Sequence, residues 1–271
     1  MAAIDSPANP LGKQSEYKDE YDASLLFPIP RLEGRKHIAG FTGDFYGEDT
    51  WNGFEVSWLN PRGKPVVKMA EFRIPAASPN IIESKSFKLY LNSFNQSRYA
   101  SDDDVVALMQ QDLSAAAGAD VKVTLLTLDT VFPAAPEAVC LDDLDIEVTA
   151  YEPDAGLLQS ADGEEDGWFC SHLLKSNCPV TGQPDWGSLY VQYKGAAFSR
   201  EGLLAYIVSI RQHQGFHEQC VEQIYADLMA KFAPERLLVC ARYVRRGGLD
   251  INPVRSSCPC EGFPNFRLGR Q

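Results

Sequence analysis

Residues 54–59, Phe-Glu-Val-Ser-Trp-Leu, alternate apolar and polar side chains, and the alternation resumes over 66–74 (VVKMAEFRI) after the turn-forming NPRGKP. A period of two sends successive side chains to opposite faces of a strand, so the two runs predict an antiparallel hairpin with one buried face. The period then changes. SDDDVVALMQQDLSAAAG, from Ser101, places Val105, Leu108, Met109 and Leu113 on one helical face, with a serine cap in front and Gly118 as the stop. VKVTLLTLD, from 121, reads as strand again. The second half repeats the order: SLYVQYKG (188–195) as strand, SREGLLAYIVSIRQH as a helix capped by Ser199, FHEQCVEQIYADLMAKF as a helix with His217, Val221, Ile224 and Leu228 on one face, and RLLVCARYV as strand. A constant offset brings Ser84 onto Ser199 and Asp112–Leu113 onto Asp227–Leu228, and sets VKVTLLTL beside RLLVCARY. The chain therefore reads as an α+β protein with an internally duplicated strand–strand–helix–helix–strand–strand unit. Between the halves, about 130–168, the chain is rich in Pro, Ala, Asp and Glu. This predicts a connecting excursion with one short strand, DIEVTAYE, and an acidic run on a solvated surface.

Composition narrows the function. The formal charge of −12 argues against a nucleic-acid partner, which needs a basic stripe to displace counterions. The first residues lack a basic start followed by an apolar run, and no apolar stretch approaches the ~20 residues needed to span a bilayer. Seven cysteines at irregular spacings (140, 170, 178, 220, 240, 258, 260) suit free thiols, so a cytoplasmic, soluble protein is expected. The Cys258-Pro-Cys260 pair is poorly spaced for a zinc knuckle, and no metal is expected.

Chemistry concentrates in a few places. In SNCPVTGQPDWGS (176–188), Cys178 precedes a proline among turn-forming residues, and Asp185 follows across the stiff PVTGQP. The thiol reads either as a small buried apolar residue or as a nucleophile whose attack on an electrophilic carbon is served by a nearby acid. His217 and Glu218, adjacent on a helix, point about 100° apart. They are either a core histidine and a helix-start charge, or two walls of a pocket in which the carboxylate accepts two parallel hydrogen bonds from a guanine-type edge. Glu83 and Lys85 at a helix start, and Arg245 and Arg246 before paired glycines, suit phosphate or are solvated charges. No GxGxxG or GxxxxGK[ST] occurs, so a dinucleotide has no Rossmann or P-loop cradle here.

Together ESKSFKLYLNSFNQ, SHLLKSNCPVTGQPDWGS, FHEQCVEQIYADL and RYVRRGGLDINP, preceded by YDASLLFPIPR, closely resemble the long, two-module form of the NADPH-dependent 7-cyano-7-deazaguanine reductase family, nitrile reductases of the queuosine pathway. The resemblance implies two tandem tunnelling-fold (T-fold) modules, each an antiparallel sheet with paired helices on one face, and an active site between the modules. It divides the chain into an N-terminal extension (1–40), a first module with ESKSFK (41–150), an acidic connecting segment (151–170) and a second module with the cysteine (171–271). It further implies that Cys178 forms a thioimide with the nitrile carbon and that Asp185, its pKa raised by burial or the thiolate, donates the proton. Glu218 with His217, and Ile82, Glu83 and Ser84, would hold the purine-like base; Ser84, Lys85, Arg246 and Gly247 would meet NADPH. A homodimer is expected. The rivals are a zinc-dependent cyclohydrolase on the same fold and a purine-binding module without turnover.

Overall fold

The computed structural model describes residues 9–10 and 17–271. Much of the expected N-terminal extension, residues 1–8 and 11–16, and with it part of the stretch read for a leader, lies outside the described residues. The chain divides into two compact units, each assembled from separated stretches: unit 1 from Met1–Glu33, Asp49–Val131 and Arg245–Asp250, and unit 2 from Gly34–Glu48, Phe132–Val244 and Ile251–Gln271.

Unit 1 opens with β1 (Pro28–Pro30) and α1 (Arg31–Arg35), whose last residues pass into unit 2. It continues through β2 (Tyr46–Leu59, its first three residues belonging to unit 2), β3 (Pro65–Pro75), β4 (Asn80–Ile82), α2 (Ser84–Ser93), α3 (Asp102–Ala117) and β5 (Lys122–Leu126). The expected hairpin is β2–β3, and the strands lie in the order β5-β3-β2. Short β1 pairs antiparallel with β4 and ties Pro28 to Ile82. α3 begins as its sequence predicts: the Ser101 hydroxyl accepts from the Asp104 N–H, and the Asp104 carboxylate accepts from the Ser101 N–H. This reciprocal arrangement satisfies two donors that a helix start leaves orphaned. Gly118 ends α3 at φ 72°, where an L side chain would be strained. α2 lays Phe87 against Trp51 and Phe72, all buried, and each such aromatic contributes roughly 1.5–3 kcal/mol by leaving water.

Unit 2 contains β6 (Val139–Cys140), β7 (Ser160–Ser171), β8 (Lys175–Asn177), β9 (Pro184–Phe198), α4 (Arg200–Ser209), α5 (His217–Phe232), β10 (Arg236–Tyr243) and β11 (Leu249–Ser256), the first two residues of β11 belonging to unit 1. Its strands run β11-β10-β9-β7-β6, with β8 also on β9. The Ser199 hydroxyl caps α4 by accepting from the Gly202 N–H, as expected. One expectation fails: DIEVTAYE is not a strand. Leu144 and Ile146 do pack against the core of unit 2, so the alternation there reports alternating burial without a hydrogen-bonding neighbour. The strand lies instead in the acidic run. β7 pairs antiparallel with β9 from Glu164 to Ser171, its acidic first half exposed and Phe169 buried. Backbone pairing along β9 outweighs the poor strand propensity of Asp, Glu and Gly.

Each unit carries the same internal clasp. In unit 1 the Tyr90 hydroxyl donates to Asp112 at 2.7 Å, joining α2 to α3. In unit 2 the Tyr206 hydroxyl donates to Asp227 at 2.6 Å, joining α4 to α5. Ser93 and Ser209, three residues beyond these tyrosines, each accept from the backbone N–H of an aspartate, Asp22 and Asp154, that caps a single-turn 3-10 helix. Those caps open DASLL and DAGLL, a short repeat that the constant offset hides because more connecting chain lies between Asp22 and Ser84 than between Asp154 and Ser199.

Candidate active site

In unit 2 the proline-flanked thiol sits at the head of a tight hairpin. β8 pairs with the start of β9, Asn177 opposite Pro184 and Ser176 opposite Asp185. The pairing extends through the turn: the Cys178 N–H donates to the Gln183 carbonyl at 2.9 Å, and the Gly182 N–H donates to the Cys178 carbonyl at 3.0 Å. Gly182 takes φ 65°, which closes the turn. Because a strand alternates faces, Cys178 opposite Gln183 shares a face with Asp185, as diagonal neighbours on a ladder do. Both side chains are buried, Cys178 at 6% exposure and Asp185 at 4%.

α5 brings the imidazole to this carboxylate. Its first residue, His217, places Nε2 3.4 Å from Asp185 Oδ2. The ring stacks face to face on Tyr243 of β10, with centroids 3.8 Å apart and planes 7° apart, which fixes its orientation. His217 Nδ1 is buried without a hydrogen-bond partner among the described residues. Glu218, the next residue, is buried at 3% exposure in the first turn of α5, where the helix dipole favours a negative charge. Cys220, also on α5, lies in the same cluster. Burial pushes its thiol up to about 11, opposed by the Tyr243 and Ser176 hydroxyls, and Asp185 adds to the rise. Burial likewise raises the Tyr243 phenol well above its ordinary value. Tyr243 and Ser176 were not candidates from the sequence; the alternation of β10, which turns Tyr243 inward toward α5, is the signal that points to Tyr243.

The remaining candidates lie in unit 1. Ile82 ends β4, and Glu83 caps α2: its carboxylate accepts from the Lys85 and Ser86 N–H groups, each at 2.7 Å. Burial raises the Glu83 carboxyl, and these two N–H groups and Lys88 pull it back down. The helix-start N–H groups read as a phosphate cradle therefore already hold a carboxylate. Ser84 Oγ lies 3.4 Å from Glu83 Oε1, and Lys85 Nζ donates to the Pro10 carbonyl at 3.1 Å. After Arg246, Gly247 and Gly248 turn the chain at φ 60° and 82°, and the Arg246 N–H donates to the Leu249 carbonyl at 2.8 Å. A Cβ on Gly247 would meet Lys88 Cδ at 3.1 Å. Lys88 thus joins Lys85, three residues before it on the same face of α2, beside the Arg246–Gly247 turn. It is a basic residue the sequence reading passed over, although its spacing from Lys85 marks it.

A buried thiol, a buried carboxylate on the same hairpin face and an oriented imidazole define a site suited to covalent thiol chemistry with proton transfer. The comparisons narrow that class. A family model described as nitrile reductase, 7-cyano-7-deazaguanine-reductase N-term matches residues 17–125, and one described as QueF-like protein matches 184–261. The NADPH-dependent 7-cyano-7-deazaguanine reductase of Chromohalobacter salexigens is 53% identical over 97% of this chain and 96% of its own length. That of Hahella chejuensis is 55% identical over 96% of this chain and 97% of its own length. A solved structure, the archaeosine synthase QueF-Like in the apo form, overlaps 35% of this chain and 94% of its own at 17% identity and a TM-score of 0.31. The chain belongs to the 7-cyano-7-deazaguanine reductase family.

Proposed function

We propose that the protein reduces the nitrile of 7-cyano-7-deazaguanine to the primary amine of 7-aminomethyl-7-deazaguanine, consuming two NADPH, as a cytoplasmic step of queuosine biosynthesis. The observation that carries this reading is the hairpin that puts Asp185 on the face of Cys178, with His217 Nε2 3.4 Å from the carboxylate. Cys178 sulfur adds to the nitrile carbon, and Asp185 delivers a proton to the nitrogen, giving a thioimide. When bound, NADPH supplies one hydride to that carbon at each of two stages. After the first, the C–S bond breaks, its electron pair returns to sulfur, and an imine is left; after the second, a proton reaches nitrogen and the amine is complete. His217, held by the Tyr243 ring, keeps Asp185 supplied with protons. Burial of both reacting groups keeps water from the imine.

Glu218, with His217, is assigned the guanine-type edge of the base, and Ile82, Glu83 and Ser84 are also assigned to base binding. Ser84, Lys85, Arg246 and Gly247 are assigned to NADPH. The setting fits that ligand: two left-handed glycines bring permissive backbone beside Lys88 and Arg246, and cations beside such turns suit phosphates. The two units are read as tandem tunnelling-fold modules, supported by the matching Tyr–Asp clasps, and the assembly as a homodimer. No helix among the described residues is long and apolar enough to cross a membrane. The deciding experiment follows NADPH oxidation with 7-cyano-7-deazaguanine and counts coenzyme per amine. Two per amine is expected; no substrate-dependent oxidation refutes the reading.

A further inference from the structure

Three groups outside the proposed active site converge at one end of β7. Cys140 and Cys170 are register partners across the parallel pairing of β6 with β7, and the Leu141 N–H donates to the Cys170 carbonyl at 2.9 Å. His172 follows Cys170 by two residues, the spacing that returns a chain to the same face. The Cys140 and Cys170 sulfurs and a ring nitrogen of His172 all lie within 4.8 Å of one another. Nothing in the proposed nitrile chemistry uses them.

We propose that Cys140, Cys170 and His172 form a binding site for a soft divalent cation of the zinc type, with the fourth position taken by water on the exposed Cys140 side. Two thiolates and an imidazole are the donor set such ions prefer, and oxygen-seeking magnesium or calcium is not served by it. A tetrahedral ion with bonds of about 2.0–2.3 Å needs donors roughly 3.5–4 Å apart, which small side-chain rotations reach from the observed spread. The surroundings are built in the way metal-ligating histidines are usually held. Ser188 Oγ lies 2.8 Å from His172 Nδ1, fixing the ring and leaving Nε2 as the ligand nitrogen. Arg270 donates to the His172 carbonyl at 2.6 Å and to Ser188 Oγ at 3.1 Å. Asp142 accepts from the His172 N–H at 2.9 Å and from the Ser171 hydroxyl at 2.6 Å, locking the backbone on either side of the ring. Binding forms two metal–sulfur bonds and one metal–nitrogen bond and releases the two thiol protons to solvent, with no change in oxidation state. The ion would pin β6, a strand of only two residues, onto β7.

The test uses full-length protein, fully reduced and stripped with chelator, then titrated with Co²⁺. Saturation at one Co²⁺ per chain is expected, with a thiolate-to-cobalt charge-transfer band and visible d–d bands of tetrahedral strength, both discharged by Zn²⁺. Cys140→Ser, at an exposed position that leaves the fold intact by circular dichroism, should abolish the charge-transfer band or weaken binding at least ~100-fold, and His172→Gln should weaken it comparably. Cys178→Ala should leave the bands unchanged, which separates this site from the proposed nucleophile. Absence of the bands in reduced wild-type protein, their survival in Cys140→Ser, or their loss in Cys178→Ala would overturn the proposal. So would a Cys140–Cys170 disulfide in the oxidised protein with no cobalt bound after reduction.

Discussion

At the level of single residues, the proposed reaction gives Cys178 and Asp185 different tasks, so their variants should fail differently. Cys178→Ala removes the bond to carbon: the nitrile base should still bind, and the new absorbance expected on mixing base with wild type before NADPH should vanish. Retention of that absorbance in the variant would rule out a thioimide at this sulfur. Asp185→Asn keeps shape but not acidity, and general acid–base contributions of about 10²–10⁴-fold set the expected loss of turnover with binding kept. Near-normal kcat would remove its acid role. The nearness of the two side chains was legible because a hairpin is local: Gly182, the prolines and the short separation hold the carboxylate on the thiol's face. The stacking of Tyr243 was not, since strand alternation turns its ring inward but does not say that it will meet His217.

Among elements, α5 carries the proposed site at its first turn and an anchor one turn later. Glu222 is 2% exposed and binds two guanidiniums: Arg35 by both carboxylate oxygens, at 2.8 and 2.9 Å, and Arg255 at 2.7 and 3.0 Å through one of them. Removing the carboxylate's charge takes a buried anionic partner from both guanidiniums, so Glu222→Gln should cost about 3–5 kcal/mol, read as a lower denaturant midpoint with unchanged slope. A shift under ~1 kcal/mol would show that the cluster is solvated in solution. The tyrosine clasp makes a smaller claim. Tyr206→Phe leaves Asp227 without one charged hydrogen bond and should cost about 1.5–3 kcal/mol by the same measurement. What could be read in the chain follows the same division. Helix caps and apolar faces are encoded within a few residues, so Ser101, Ser199 and Gly118 stand where the sequence puts them. Partners of Glu222 come from far along the chain, and the strand in the acidic run owes its existence to β9. Local pattern therefore assigned strand to DIEVTAYE and withheld it from 160–171.

For the molecule as a whole, the pH dependence of stability offers a handle that needs no substrate. His213 is largely buried, its Nε2 lacks a hydrogen-bond partner among the described residues, and burial lowers its pKa from the ordinary 6.5, with Glu152 and Asp227 opposing the shift. A histidine depressed in the folded state binds its proton more readily when unfolded. Its contribution is therefore complete above about pH 6.5 and is lost as pH falls toward the depressed folded value. Asp227 works in the other direction: burial raises its carboxyl from 3.8, so stability is shed as pH rises from there through the raised value. Subtracting the His213→Gln curve from wild type isolates the histidine's titration, and the difference should change as pH falls below about 6.5 and be independent of pH above it. The chain has only four histidines, so each imidazole can be followed by NMR. The His213 resonance should stay neutral at a pH where a solvent-exposed histidine is half protonated. A His213 that titrates at or above the ordinary value would mean that water reaches the ring, and the tight packing of α4, α5 and the loop between them would have to be redrawn.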